Sequence, residues 1–478
     1  MRGRTSEGGV GSIRKAFVRT MLVAALSGSC LGALGGWTSM PKSAANRFAI
    51  DQPVRTDGKP VPGQATQAEQ YIRVVDVPEQ RRVRLETSVR TLRKPGAPIV
   101  HLVGAMHVGD KAYYDGLQKF LDAQSIVLFE GVKPSGVGEA SKLAGDDAAR
   151  GKLTEQRLRL LATMVEKHRV EHGEYPASLE AMTATLRRPV ARIVEGMKVD
   201  GWGKAIEYKP VVGAAAAEGA AAGTPPKIAA FDLVSLGGDS VAGGADTAED
   251  LAFSQQKPLS KGEIGEKREG IQVQLAQALG LEFQLTAIDY THESWRNSDL
   301  SIDEVQARLK DSGAGGEALF KMLDGSSFSA KALGWVLGIM KTSPTMQSMG
   351  KLMIIEMLSR AEELTSSSSA MGAETSKLMQ VIIIDRNKAV LADLAKLIEE
   401  EGKTPSVALF YGAGHLPDLE RAVTGDMGYV FDSEQWFASI DMDLSKAGIT
   451  EAQATQMREM VKKSIEGQLG KKKAPKKY

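Results

Sequence analysis

The residues of this chain best suited to chemistry are two histidines that close two similar segments. His107 ends Gly104-Ala105-Met106-His107, and His415 ends Gly412-Ala413-Gly414-His415. Imidazole ligates metals and carries protons near neutral pH. Each Gly-x-x-His follows an apolar run, residues 99–103 in one case and 407–411 in the other. Such runs read as buried strands, and a glycine at the strand end permits positive φ or close backbone approach. Open α/β sheets bind ligands at the carboxyl ends of their strands. The two histidines are therefore expected to close one site from the two ends of the chain.

The elements that must position them follow from periodicity. Alternating valines and charges over residues 73–90 suggest early strands, with a hairpin as one arrangement. After the first Gly-x-x-His strand, residues 110–121 read as an amphipathic helix with Leu117, Phe120 and Leu121 on one face. Residues 125–129 form a second buried strand that ends at Glu130-Gly131. Strand, helix, strand is the βαβ pattern of a parallel sheet. Residues 153–169 carry a helical stripe of Leu158, Leu161, Met164 and Val165, and residues 231–235 read as a strand. An Ala/Gly/Pro-rich stretch at 213–226 reads as a loop. Helices are expected at 271–279, 303–309, 331–340 and 346–364, and a serine linker at 366–369. A long amphipathic helix over 378–400 contains Asp385-Arg386-Asn387 and leads to the second Gly-x-x-His strand.

The chain has 478 residues, a net charge of +1 and a single cysteine. That length suits two or three domains, and the balanced charge gives no sign of nucleic-acid binding. Basic residues 2–19 precede an apolar, small-residue stretch at 21–34, too short for a comfortable membrane span, so residues 1–40 read as a signal peptide or an N-terminal anchor. Cys30 lies in this segment and fits a lipid attachment site poorly, and no disulfide forms within the mature chain. Residues 41–70 read as a linker. The lysines between 462 and 477 read as a solvated tail, with an anionic membrane surface as the alternative. Export to the periplasm or cell envelope is the expected location.

The ordered set Gly104-x-x-His107, the strand ending in Glu130, Arg386-Asn387 and Gly412-x-x-His415 resembles the TraB/GumN/TIKI family, within the erythromycin-esterase/ChaN-like superfamily. The resemblance covers about residues 71–134 and 259–437. It implies an α/β (α+β) domain with a central sheet flanked by helices. It also implies a metal-dependent hydrolase, a peptidase in the TIKI members, with a peptide or protein substrate. His107 and His415 would then be metal ligands or catalytic histidines, Glu130 a ligand or general base, and Arg386 and Asn387 supports of the site. Two imidazoles and a carboxylate leave an open position for water, as catalytic sites do. Arg386 would stabilise an oxyanion and Asn387 would position substrate. The plainer alternatives are an ion pair of Arg386 with Glu130 or Asp385, and a turn cap for Asn387.

Residues 151–258 resemble the globular domain of the type II secretion major pseudopilin. The match consists of a helix, Gly173-x-Tyr175-Pro176, Trp202-Gly203, Tyr208, Ser235-Leu236-Gly237-x-Asp239, Gly243-Gly244 and Glu249-Asp250. Gly201 departs from that family's proline. The resemblance implies a small α+β domain with calcium bound by Asp239 and Asp250 and by backbone carbonyls near Leu236 and Ser240, and calcium favours such oxygens. The expected order is a TraB-like domain over 71–150 and 259–440, split by the insert, then a C-terminal helix and basic tail over 441–478. His168 and His172 fall in the insert, outside the proposed catalysis. His101 is expected to pack within the sheet, and His292 is a loop candidate near the site. Two other readings stand beside the metallohydrolase: a non-catalytic protein that binds a peptide or haem-like ligand through the same histidines, and an insert that docks to secretion machinery.

Overall fold

The computed structural model describes residues 70–132, 146–186, 188–213, 227–243, 249–264, 271–313, 337–338, 340–341, 343–359, 377–400 and 404–469. The expected signal segment and linker, the 366–369 serine linker, most of the 331–340 helix and the last basic residues lie outside them. So does most of the 213–226 loop.

The elements in chain order are β1 (Ile72–Val77), β2 (Arg82–Arg93), β3 (Ile99–Ala105), β4 (Val108–Gly109), α1 (Lys111–Asp122) and β5 (Ile126–Phe129). There follow α2 (Asp147–His172), α3 (Leu179–Thr185), α4 (Arg188–Met197), β6 (Glu207–Val212), β7 (Ile228–Ser235) and β8 (Leu251–Ala252). The rest are α5 (Ile271–Leu279), β9 (Glu282–Phe283), β10 (Trp295–Asn297), α6 (Ile302–Ser312), α7 (Pro344–Leu358), α8 (Arg386–Glu399), β11 (Ser406–Gly412), α9 (Leu416–Gly425), β12 (Val430–Asp443) and α10 (Glu451–Leu469).

The fold is mixed α/β, with a central mixed sheet flanked by helices. Its order is β1-β2-β3-β11-β5-β10, and β12 pairs β2. The 73–90 segment is a hairpin: β1 and β2 pair antiparallel from Ile72↔Thr87 to Val77↔Arg82. The long β2 then pairs β3 through Val89–Leu92, while β12 follows it from Arg93 to Arg82. The middle of the sheet is parallel, with β11 between β3 and β5. Val407 to Tyr411 have no exposed surface, as expected for a strand covered on both faces.

Helix α1 buries Tyr113, Tyr114, Leu117 and Leu121. Leu117 and Leu121 lie four residues apart on one face, and each fully buried leucine stabilises the fold by about 1.5–3 kcal/mol. The last helix, α10, is tied down by Arg458, which reaches Glu356 on α7 at 2.9 Å and Asp76 on β1 at 2.7 Å.

Residues of the insert form their own apolar cluster, with Leu158, Leu161, Val165, Met182 and Leu233 at its centre, and a separate antiparallel sheet of β6, β7 and β8. Its motif residues hold this small core together. Tyr175 and Tyr208 both flank Phe231, and the Tyr208 hydroxyl donates to the Pro176 carbonyl at 2.8 Å. A Cβ at Gly201 would lie 2.1 Å from the Arg150 carbonyl oxygen, so only glycine fits there. Asp146 caps α2, accepting from the Ala148 N–H at 2.9 Å, so this helix starts before residue 151.

Candidate active site

The register of three strands assembles the site. In the β3/β11 pair Gly104 lies opposite Tyr411 and Ala105 opposite Gly412, so the two Gly-x-x-His turns leave the same sheet edge side by side. On the other flank of β11, Phe410 lies opposite Phe129, which places Glu130 beside the second turn. Neither motif glycine has positive φ; close approach is what requires them. A Cβ at Gly412 would sit 3.2 Å from both Glu130 Oε2 and His107 Nε2, and one at Gly104 would sit 3.0 Å from Leu416 Cδ1 and 3.1 Å from the Ser88 carbonyl. Gly412 thereby lets its own N–H donate to Glu130 Oε2 at 2.7 Å.

Glu130 belongs to a buried ionic triad. Arg386 Nη2 donates to Glu130 Oε1 at 2.7 Å and to Asp299 Oδ2 at 2.5 Å, and Arg386 Nε donates to Asp299 Oδ1 at 2.9 Å. Arg386 is 1 % exposed. Burial alone would push the Glu130 carboxyl up, but Arg386, with His415 and His107, holds it well below the usual carboxylate range. Burial likewise opposes the Arg386 charge, and Asp299 and Glu130 together overcome it. One cation among two carboxylates leaves this triad with a formal charge of −1.

Arg386 begins α8 directly after a π-type turn over Gln380–Asp385. Such single turns recur at functional sites. Here the turn brings the Ile382 carbonyl within 3.3 Å of Arg386 Nη1. The guanidinium is engaged by Glu130, Asp299 and Ile382, so the alternative of an ion pair with Glu130 is the arrangement present, and Arg386 anchors Glu130. Asp385 is not its partner, and lies 2.8 Å from Lys388.

Both motif histidines are held at Nδ1 and left bare at Nε2. His415 Nδ1 lies 2.7 Å from Asn387 Oδ1. The Asn387 amide nitrogen donates to the His415 carbonyl at 3.1 Å and to Asp418 Oδ2 at 3.0 Å. Two acceptors on one side of the amide fix its oxygen on the other, so His415 carries its proton on Nδ1. Asn387 thus orients His415 and also ties down the turn that carries it. His107 Nδ1 lies 2.9 Å from Gln284 Oε1, whose amide nitrogen faces the Tyr290 hydroxyl at 3.0 Å.

His107 Nε2 and His415 Nε2 are both buried without a hydrogen-bond partner. His415 Nε2 lies 3.4 Å from Glu130 Oε1. Burial pushes the His107 imidazole below its ordinary value, against the pull of Glu130 and Gln284. The donor chemistry therefore fits a divalent ion: two imidazole lone pairs, each ring oriented by an amide, beside a carboxylate in a triad of net negative charge. The cage is not preassembled. Among the described residues no group of three or more His, Cys, Asp or Glu is arranged to hold a metal ion.

The other candidates lie elsewhere. His101 packs edge-on against Phe120 and meets the Thr91 hydroxyl at 3.0 Å. His292 stacks on Trp295 and lies 3.4 Å from Asp122; Trp295 pairs with Val127, toward the opposite end of the strands, so His292 does not join the site. In the insert, Asp239 Oδ1 accepts from the Val241 N–H and Asp250 Oδ2 from the Gly243 N–H, each at 3.0 Å. Asp250 Oδ1 is buried without a partner, and Lys204 Nζ donates to the Gly238 carbonyl at 2.9 Å.

Asp299 and Gln284 are the site residues that the motifs do not mark. Asp299 had a usable signal, since it follows the short strand β10 at the same sheet edge. Gln284 had none; it reaches His107 because β4 and β9 pair, Val108 opposite Phe283. Comparison of the chain with protein-family models, curated proteins and solved structures finds no match.

Proposed function

We propose that this chain is a hydrolase of the TraB/GumN/TIKI type, acting on peptides with a divalent metal held by His107, His415 and Glu130. The observation that carries the reading is the pair of buried imidazole Nε2 atoms that make no hydrogen bond, one of them 3.4 Å from the Glu130 carboxylate. A metal bound there would lower the pKa of a water molecule and polarise the scissile carbonyl. Asn387 and Gln284 keep the ring protons on Nδ1. Arg386 keeps Glu130 ionised, which suits a ligand and not a general base, because a base works best with a pKa near the operating pH.

The pseudopilin-like insert, calcium at Asp239 and Asp250, and placement in the cell envelope belong to the same proposal. The unpartnered Asp250 oxygen supports the calcium reading. A calcium-dependent rise in melting temperature that persists in Asp239→Ala would remove it. Among the described residues no helix is long and apolar enough to cross a membrane.

The engagement of Arg386 by two carboxylates favours a second reading, a non-catalytic protein that binds a peptide or haem-like ligand through the same histidines. Cleavage of a peptide library by metal-loaded protein decides between them. Cleavage that is lost in His107→Ala/His415→Ala supports the hydrolase. Metal binding with no cleavage supports the binding protein, and cleavage unaffected by the double substitution sinks the assignment of the site.

A further inference from the structure

Helix α2 ends with Lys167-His168-Arg169-Val170-Glu171-His172, followed by Gly173 at φ +80°. Histidines four residues apart project from one helix face, and His-x-x-Glu-His is a spacing in which helices present two imidazoles to one metal ion. Here the rings lie with centroids 4.2 Å apart and planes inclined by 36°. His172 is exposed and His168 half-buried. The neighbouring carboxylate Glu166 is already taken by Arg169 at 2.9 Å and by the Tyr175 hydroxyl at 2.9 Å. The Thr185 hydroxyl stands 3.5 Å from His168 Nδ1, which leaves Nε2 as the ligating atom.

The electrostatics favour a cation. The pair closes a 26-residue helix, with His172 in its last turn, where unsatisfied carbonyls carry the negative end of the helix dipole. Glu171 and Glu174 both act on His168 in the sense that favours positive charge there.

We infer that His168 and His172 form a second, surface metal site on the insert, taking a divalent transition ion of the imidazole-preferring class such as Zn²⁺, Ni²⁺ or Cu²⁺. No third His, Cys, Asp or Glu completes it among the described residues, so water or an incoming ligand fills the other positions. The site is independent of the proposed hydrolase centre, since it shares no residue with it.

Equilibrium dialysis of the metal-free full chain against Ni²⁺ tests the inference. The His107→Ala/His415→Ala protein is expected to retain one equivalent, and adding His172→Ala is expected to abolish it. His172 is exposed, so the substitution leaves the helix intact, which circular dichroism checks. Cu²⁺ electron paramagnetic resonance on the first protein is expected to show imidazole nitrogen coupling that His168→Ala reduces to a single ring. Equal Ni²⁺ binding with and without His172, or no binding by either protein, overturns the site.

Discussion

Asn387 accepts the Nδ1 proton of His415 across 2.7 Å, while its own amide hydrogens are held by the His415 carbonyl and Asp418. The asparagine therefore sets both the orientation and the tautomer of a histidine whose second nitrogen makes no hydrogen bond and lies 3.4 Å from Glu130 Oε1. Outer partners of this kind are worth about 10–100-fold in metal affinity or activity. Asn387→Ala is expected to lower metal affinity by about that factor. Nitrogen-15 NMR of the histidine rings should show the Nδ1–H tautomer of His415 in the wild type and its loss in the variant. An unchanged tautomer would show that Asn387 does not set it.

Arg386 is the arginine that pairs with both Glu130 and Asp299. Arg386→Met removes it and leaves two buried carboxylates together. Breaking a buried pair from one side costs about 3–5 kcal/mol. Urea unfolding should register a loss of that order, and Asp299→Asn in the Arg386→Met background should recover part of it. A loss below about 1 kcal/mol, the range of an exposed pair, would contradict the burial of the triad.

The motif glycines were legible in the sequence because each sits at the end of an apolar run and is followed three residues later by a histidine. A parallel sheet followed from the same runs, since fully apolar strands separated by helices specify one, but the insertion of β11 between β3 and β5 did not. The reason for the glycines was not legible. Gly412 answers to the positions of Glu130 Oε2 and His107 Nε2, which only the folded register brings together. Arg386 was readable as a candidate, and its pairing with Glu130 as one alternative, but its second partner was not, because Asp299 lies 87 residues away in sequence. Gln284 reaches His107 through a two-residue strand pair, too short to leave a periodic signature.

Gly412→Ala would bring a methyl group to 3.2 Å from His107 Nε2 and Glu130 Oε2. The expected outcome is displacement of the His107 ring by a few tenths of an ångström, with activity reduced by up to about 10²-fold, the scale of a misplaced reactive group. Peptide cleavage should fall much further than the melting temperature. A variant with full activity would show that this approach is not needed for function.

Stability should fall with acid in two stages. His107 and His101 are both lowered by burial, His101 to about 4. The folded state binds fewer protons than the unfolded chain below about pH 6.5, the unperturbed histidine value. Their contribution is complete above that pH and is lost as pH falls toward their folded values. Glu130, also lowered, contributes fully above about pH 4.3 and loses its contribution further down. Urea midpoints measured with a chelator present should decline from about pH 6.5, with a shallower slope in His101→Phe. A midpoint that rises on acidification through this window would contradict the buried neutral histidines.

The central claim is that His107 and His415 share a metal ion, and metal stoichiometry tests it most directly. Metal analysis of the full chain after dialysis against Zn²⁺ is expected to give one equivalent more in the wild type than in His107→Ala/His415→Ala, with both proteins folded by circular dichroism. Equal metal content in the two would contradict the account.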